Sequence, residues 1–316
     1  MPLRELASKP QLGDRSGGSD GLVAYLAPDG FLPELLEELG GAVRETCGRL
    51  VLAAGPARPV AWAANVWHDP TFVEVASIGD AASKLRAIQR NWALYSCGHH
   101  RRAALIAERL PKVSAKPLPF GNPVPAAPLG SWTLIDQNTL LAAPHCASAF
   151  PNGELQFVED RTAPSRAYLK LWEVFTLLGV KPGRGDLCLD LGASPGGWTW
   201  VLQRLGASVL SIDKAPLDPS VARLPNVEER RESAFALDPR SVGRVDWLFS
   251  DVVCYPKRLL TLVRKWLDAG TARRFVCTIK FQRATDFETM RGFAAIAGSR
   301  LLHLNHNKHE LTWVKL

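Results

Sequence analysis

The chain has 316 residues, 47% of them hydrophobic, with a formal net charge of +7. That length holds two domains with well-buried cores, and no stretch reaches the uninterrupted apolar length that spans a bilayer, which argues against a membrane protein. Residues 1–150 carry 14 Lys+Arg against 13 Asp+Glu and residues 151–316 carry 24 against 18, so +6 of the +7 lies in the second half. Such a balance suits a polyanionic partner as well as it suits an ordinary basic surface.

Residues 1–20 contain no apolar run and read as a flexible tail. Residues 21–27 (GLVAYLA) read as a strand and 31–39 (FLPELLEEL) as a short amphipathic helix that tolerates Pro33 in its first turn. Two strands are expected at 50–54 and 60–65, around Gly55-Pro56. Asp80 is placed to cap a long helix over 81–94. This mixture indicates an α+β domain over residues 21–155. Lys84, Arg86, Arg90, Arg101, Arg102, Arg109 and Lys112, with Trp92 and His99-His100 nearby, form either an RNA-facing surface or the solvated faces of two helices. Residues 112–130 are proline-rich and read as an extended connection, and strand-like sequence follows over 132–143.

From residue 156 to 316 the pattern alternates strand and helix. Ser165 is placed to cap a helix ending at Gly179 and containing Lys170. Residues 187–200 (LCLDLGASPGGWTW) then combine a buried strand carrying Asp190, a turn with Gly192, Ser194, Pro195, Gly196 and Gly197, and a helix start at Trp198. That arrangement sets backbone N–H groups against a ligand. The next strand, 208–212, ends in Asp213, where an acid receives ribose hydroxyls. The turn lacks the G-x-G-x-x-G spacing, so the ligand expected is one with a ribose and no pyrophosphate. Further strands at 245–250 and 274–279 end in Asp251 and Lys280, with helices at 257–269 and 286–297. Strands at 300–303 and 311–315 are joined too closely for a crossover helix and must pair antiparallel. The expectation is an α/β, doubly wound, Rossmann-like sheet, mostly parallel with an antiparallel last strand.

Ligands of such sheets bind at the carboxyl ends of the strands. Asp213, Asp251 and Lys280 fall there; Glu310 starts a reversed strand and shares that edge, and Lys170 is within reach from its helix. DLGASPGGWT, the SDVV at 250–253, the TIKF at 278–281 and the HELTWV at 309–314 resemble the motifs of FtsJ-type RNA ribose 2′-O-methyltransferases. APSRAYLKL at 163–171 and KRLLTLVRKWL at 257–267 are similar to the RlmM-type branch, bacterial enzymes acting on a cytidine ribose of 23S rRNA. The resemblance implies S-adenosyl-L-methionine along the glycine turn and a catalytic tetrad of Lys170, Asp251, Lys280 and Glu310. It implies rRNA as partner and a cytoplasmic location, and GLVAYLAPDGF resembles the opening of that branch's RNA-binding region with its THUMP-like module. Lys280 is the expected base, its pKa lowered by partial burial and by Lys170. One departure stands out: Ser233 occupies the place where such enzymes often hold adenine with an acid, so Glu232 or the backbone takes that contact.

A nicotinamide dehydrogenase is disfavoured by the turn spacing and by strand-end lysines that hydride transfer does not need. A methyltransferase acting on a base, another RNA or a small molecule, and a non-catalytic RNA-binding protein, remain the alternatives. The six cysteines lack C-x-x-C spacing and read as free thiols, several of them small buried hydrophobes, in a reducing compartment. His303, His306 and His309 are three apart in a strand–turn segment that does not bring all three onto one metal.

Overall fold

Short apolar runs with two-residue alternation build the largest sheet. The computed structural model describes residues 21–316, and the tail expected over 1–20 lies outside them. Seven strands run in the spatial order Val227–Arg231, Ser208–Asp213, Leu187–Leu191, Val245–Ser250, Ala272–Lys280, Glu310–Lys315, Ser299–Leu302. The first five are mutually parallel, and Glu310–Lys315 runs antiparallel to both of its neighbours. Alternate residues of each strand serve opposite faces. Leu189, Leu248 and Phe275 pack on helices Pro256–Ala269 and Phe287–Ala294, while Cys188, Trp247 and Val276 pack on Tyr168–Leu178 and Gly197–Arg204. This is the doubly wound sheet expected. The edge strand Val227–Arg231 and the four-residue helices Pro219–Ala222 and Pro239–Val242 were not foreseen, because VEERR has no apolar face.

The N-terminal half contains two small sheets. One is antiparallel, in the order Val43–Cys47, Leu50–Ala54, Leu22–Leu26, Asn65–His68, His145–Cys146. The other runs Thr71–Glu74, Thr139–Ala143, Gly130–Leu134, Trp92–Leu94 and carries helices Ile78–Ile88 and His100–Ala107. Three expectations are corrected here. Residues 60–64 form a turn, because the Ala61 and Trp62 N–H groups donate to the Glu38 carboxylate rather than to a strand. The helix expected over 81–94 begins at Ile78, capped by Ser77, whose hydroxyl accepts the Asp80 N–H while Asp80 accepts that of Ala76. It stops at Ile88, where the Trp92 indole turns back to donate to the Leu85 and Gln89 carbonyls. Trp92 is therefore core, and it does not interleave with the exposed cations of Lys84, Arg86 and Arg90.

No break in packing marks residue 155. A single apolar cluster joins Val23, Tyr25, Leu35 and Trp62 to Leu189, Phe275, Phe281 and Trp313. Residues 112–130 connect helix His100–Ala107 to strand Gly130–Leu134 and are pinned by a bridge from Leu118 to Phe157.

The cysteine expectation also needs correction. Cys47 and Cys97 form a disulfide with Cα atoms 5.6 Å apart, joining the end of one small sheet to the segment after the edge strand of the other. Fifty residues separate them, and only the packing of the two sheets brings them together. Cys146, Cys188, Cys254 and Cys277 are free. Thiol titration of the unreduced, denatured protein should count four reactive groups, rising to six after reduction. Six before reduction would contradict the pairing.

Candidate active site

The glycine turn follows from a lack of space. Gly192 has φ +80°, and a Cβ there would lie 2.7 Å from Val252 Cα and 2.9 Å from Val252 N. The parallel register Leu191↔Ser250 sets those two strand ends side by side, so Gly192 lets the Asp251–Val252 backbone pass. A Cβ on Gly197 would lie 2.5 Å from Ser165 Oγ. The Ser194–Pro195 peptide is cis, and Gly196, at φ +112°, precedes the helix. Asp213 braces the turn: Oδ2 accepts the Ser194 N–H at 3.0 Å and Oδ1 accepts that of Ala215 at 3.0 Å. The Ser194 hydroxyl is spent on the Pro216 carbonyl at 2.8 Å. Trp198 turns inward, donating its indole N–H to the Ala167 carbonyl at 2.9 Å, so its side chain supports the turn from the core. Ser233 lies beyond Arg231, the strand partner of Asp213, and its carbonyl accepts the Ala236 N–H at 3.0 Å.

Two buried polar atoms beside this turn have no partner among the described residues: Ser165 Oγ and Asp190 Oδ1. Ser165 does not cap the helix as expected, since that helix starts at Tyr168. Asp190 is fully buried, and its Oδ2 accepts the Thr199 hydroxyl at 2.7 Å. Burial, opposed by Thr199 and reinforced by the charge of Asp251, pushes the Asp190 carboxyl up to about 7. A tightly packed glycine turn, a braced strand-end acid and unmet buried polar atoms fit a small polar ligand with a ribose.

The four residues expected to work together do converge. Lys280 and Glu310 are direct partners across the antiparallel pair, while Asp251 follows the neighbouring strand. Lys170 projects from Tyr168–Leu178 and bonds Asp251 Oδ1 at 3.1 Å and Glu310 Oε1 at 2.7 Å. Lys280 Nζ lies 3.1 Å from the same Asp251 Oδ1 and also donates to the Asp251 carbonyl. All four side chains are between 9% and 20% exposed. Burial works to lower the Lys170 pKa, but the carboxylates of Asp251 and Glu310 outweigh it, and the net shift is upward. Lys170 therefore stays charged.

Lys170, Lys280 and Glu310 line a 650 Å³ cleft together with Arg166, His306 and Lys308. Its wall is a loop that the sequence reading weighed only for metal. Glu173, one turn beyond Lys170, accepts the Asn305 N–H at 2.7 Å, the His306 N–H at 3.1 Å and His306 Nδ1 at 2.6 Å. The three histidines have separate partners: His303 meets the Lys308 carbonyl, His306 meets Glu173 and His309 meets Thr285. The lone acid in the apolar run YLKLWEVFTLL was the missed signal.

Two predictions follow from the turn. Gly192→Ala should cost about 1–3 kcal/mol of stability, from the left-handed φ and the Val252 backbone, measured by denaturant unfolding. An unchanged midpoint would contradict the close approach. Asp190 binds its proton more tightly folded than unfolded, where carboxyls titrate near ~4. Its contribution is full below that value and is lost as pH rises towards about 7. Asp190→Asn should flatten the fall in stability over that window; an unaltered slope would contradict the buried carboxyl.

Residues 163–276 match the FtsJ-like methyltransferase model. Over 171 residues the chain is 37% identical to the ribosomal RNA large subunit methyltransferase M of Halorhodospira halophila, covering 52% of this chain and 50% of that one. Against the protein of the same name from Aromatoleum aromaticum, identity is 34% over 187 residues, covering 54% and 50%. The chain spans about half the length of the curated relatives it matches. Over residues 163–276 the chain is thus similar to FtsJ-like methyltransferases.

Proposed function

We propose that the chain transfers a methyl group from S-adenosyl-L-methionine to a ribose 2′-hydroxyl of RNA, a cytidine of 23S rRNA. The observation that carries this reading is the convergence of Lys170, Asp251, Lys280 and Glu310 beside the glycine turn. The names of the curated relatives support the rRNA assignment. In this reading residues 156–316 are the catalytic domain. Residues 21–155, including the connection 112–130, are a THUMP-like RNA-binding domain. In this reading the protein meets its substrate in the cytoplasm.

Asp190, Gly192, Ser194, Pro195, Gly196, Gly197 and the start of the helix at Trp198 would hold the cofactor. Asp213 would accept the ribose hydroxyls, and Asp251 and Ser233 would complete the site. When bound, this cofactor supplies a sulfonium methyl group open to in-line displacement, so alignment contributes much of the acceleration. Lys280, entering as the free amine, takes the proton of the attacking hydroxyl, and Asp251 holds Lys280 in place. Lys170, kept charged by its two carboxylates, stabilises the oxygen as it loses that proton. Glu310 fixes Lys170, and the four groups become neutral in sum once Lys280 has taken the proton.

Methylation at a base carbon would use a nucleophilic cysteine, and Cys254 is the nearest thiol in sequence to Asp251. Burial pushes the Cys254 thiol up despite Arg258 and Lys280, which opposes thiolate formation. A non-catalytic RNA-binding role leaves the assembled tetrad without a purpose.

Calorimetry should give binding of S-adenosyl-L-methionine and none of NAD; the reverse would overturn the reading. Asp213→Ala should weaken cofactor binding by about 1–3 kcal/mol. Lys280→Ala should abolish methyl transfer with cofactor affinity near normal. A variant keeping most of its rate would assign the proton to another group.

A further inference from the structure

Glu173 is a carboxylate at 2% exposure on an otherwise apolar helix face, and the tetrad does not use it. Both of its oxygens already accept backbone N–H groups, from Asn305 and His306. An ionised carboxylate only accepts, so the 2.6 Å contact with His306 makes Nδ1 the donor. In the neutral ring Nε2 is then an acceptor. Among the described residues no group is hydrogen-bonded to Nε2, while the ring borders the cleft that Lys170, Lys280 and Glu310 also line. The ring is held on its other side by Phe157, with centroids 5.7 Å apart. Asn305 anchors the same loop by donating to the Leu155 carbonyl at 3.0 Å. A buried acid, two backbone bonds and a packed ring thus fix one open acceptor atom beside the acceptor-hydroxyl site.

We infer that His306, set in this tautomer by Glu173, reads the base of the methylated nucleotide by accepting a hydrogen bond from an exocyclic amine. The ligand feature is the amino group of cytosine, and uracil, which presents a carbonyl at that position, is refused because two acceptors would face each other. Of the other charged lining groups, Arg166, Lys170 and Lys308 are donors only, Lys280 serves the hydroxyl, and the Glu310 carboxylate is engaged by Lys170 at 2.7 Å. Glu173 is a positioning residue, and His306 is the specificity-determining contact. This inference rests on the methyltransferase reading above.

The test uses two RNAs of the large-subunit target region, identical except for cytidine or uridine at the methylated position, and the full chain with labelled cofactor. The readout is the ratio of kcat/KM for cytidine over uridine. It does not change when a variant merely lowers the folded fraction, because both RNAs meet the same enzyme. The unaltered protein should favour cytidine by about tenfold or more. His306→Ala should bring the ratio close to one. Glu173→Gln, which can offer Nδ1 a donor and so frees the other tautomer, should lower it as well. No preference in the unaltered protein, or the same ratio in His306→Ala, would overturn the inference and leave the methyltransferase reading standing. Methylation of neither RNA, nor of total rRNA, would overturn both.

Discussion

A single carboxylate oxygen, Asp251 Oδ1, holds two lysine Nζ atoms, each at 3.1 Å. Gathering charges at a largely buried strand end costs several kcal/mol per ion unless they are paired closely. Here the pairing closes: Glu310 takes the second side of Lys170 at 2.7 Å. The arrangement depends on strand order. Lys280 and Glu310 meet only because the last strand inserts antiparallel beside Ala272–Lys280, and Asp251 joins them because its strand is the parallel neighbour on the other side. The reversed strand thus brings an acid to an edge where the parallel strands deliver their ends.

Most of this was readable from the chain. Parallel buried strands announce themselves as continuous apolar runs, so the elements bearing Asp190, Asp213, Asp251 and Lys280 were placed closely. The short link before Glu310 required an antiparallel pair, and that fixed the fourth member of the tetrad. Trp92 was not placed, since an aromatic residue beside arginines reads equally as a stacking platform or as core. Its indole N–H decides it, donating to the Leu85 and Gln89 carbonyls. Glu173 was passed over because a lone acid in an apolar helix has no partner visible in its own segment. Its partners, Asn305 and His306, lie more than 130 residues away. Cys47 and Cys97 were missed for the same reason.

The N-terminal half reaches the catalytic edge through rings. Phe31 and Trp62 pack 4.8 Å apart and meet His303 and His309 at 5.0–6.0 Å, with Phe281 against His309 at 5.3 Å. Burial lowers the His303 pKa to about 4, so the ring behaves as an apolar partner at neutral pH. His303 and His309 bracket the loop that carries His306 and Lys308. The apolar contact with Phe31 and Trp62 therefore steadies the wall of the cleft in which the acceptor nucleotide is proposed to sit.

The central claim concerns where the methyl group goes. Ribosomal RNA from a strain lacking the enzyme, incubated with the full chain and labelled S-adenosyl-L-methionine, can be digested to nucleosides and resolved. The account predicts label in 2′-O-methylcytidine from a large-subunit fragment. Label in a methylated base, or none in large-subunit RNA, would contradict it.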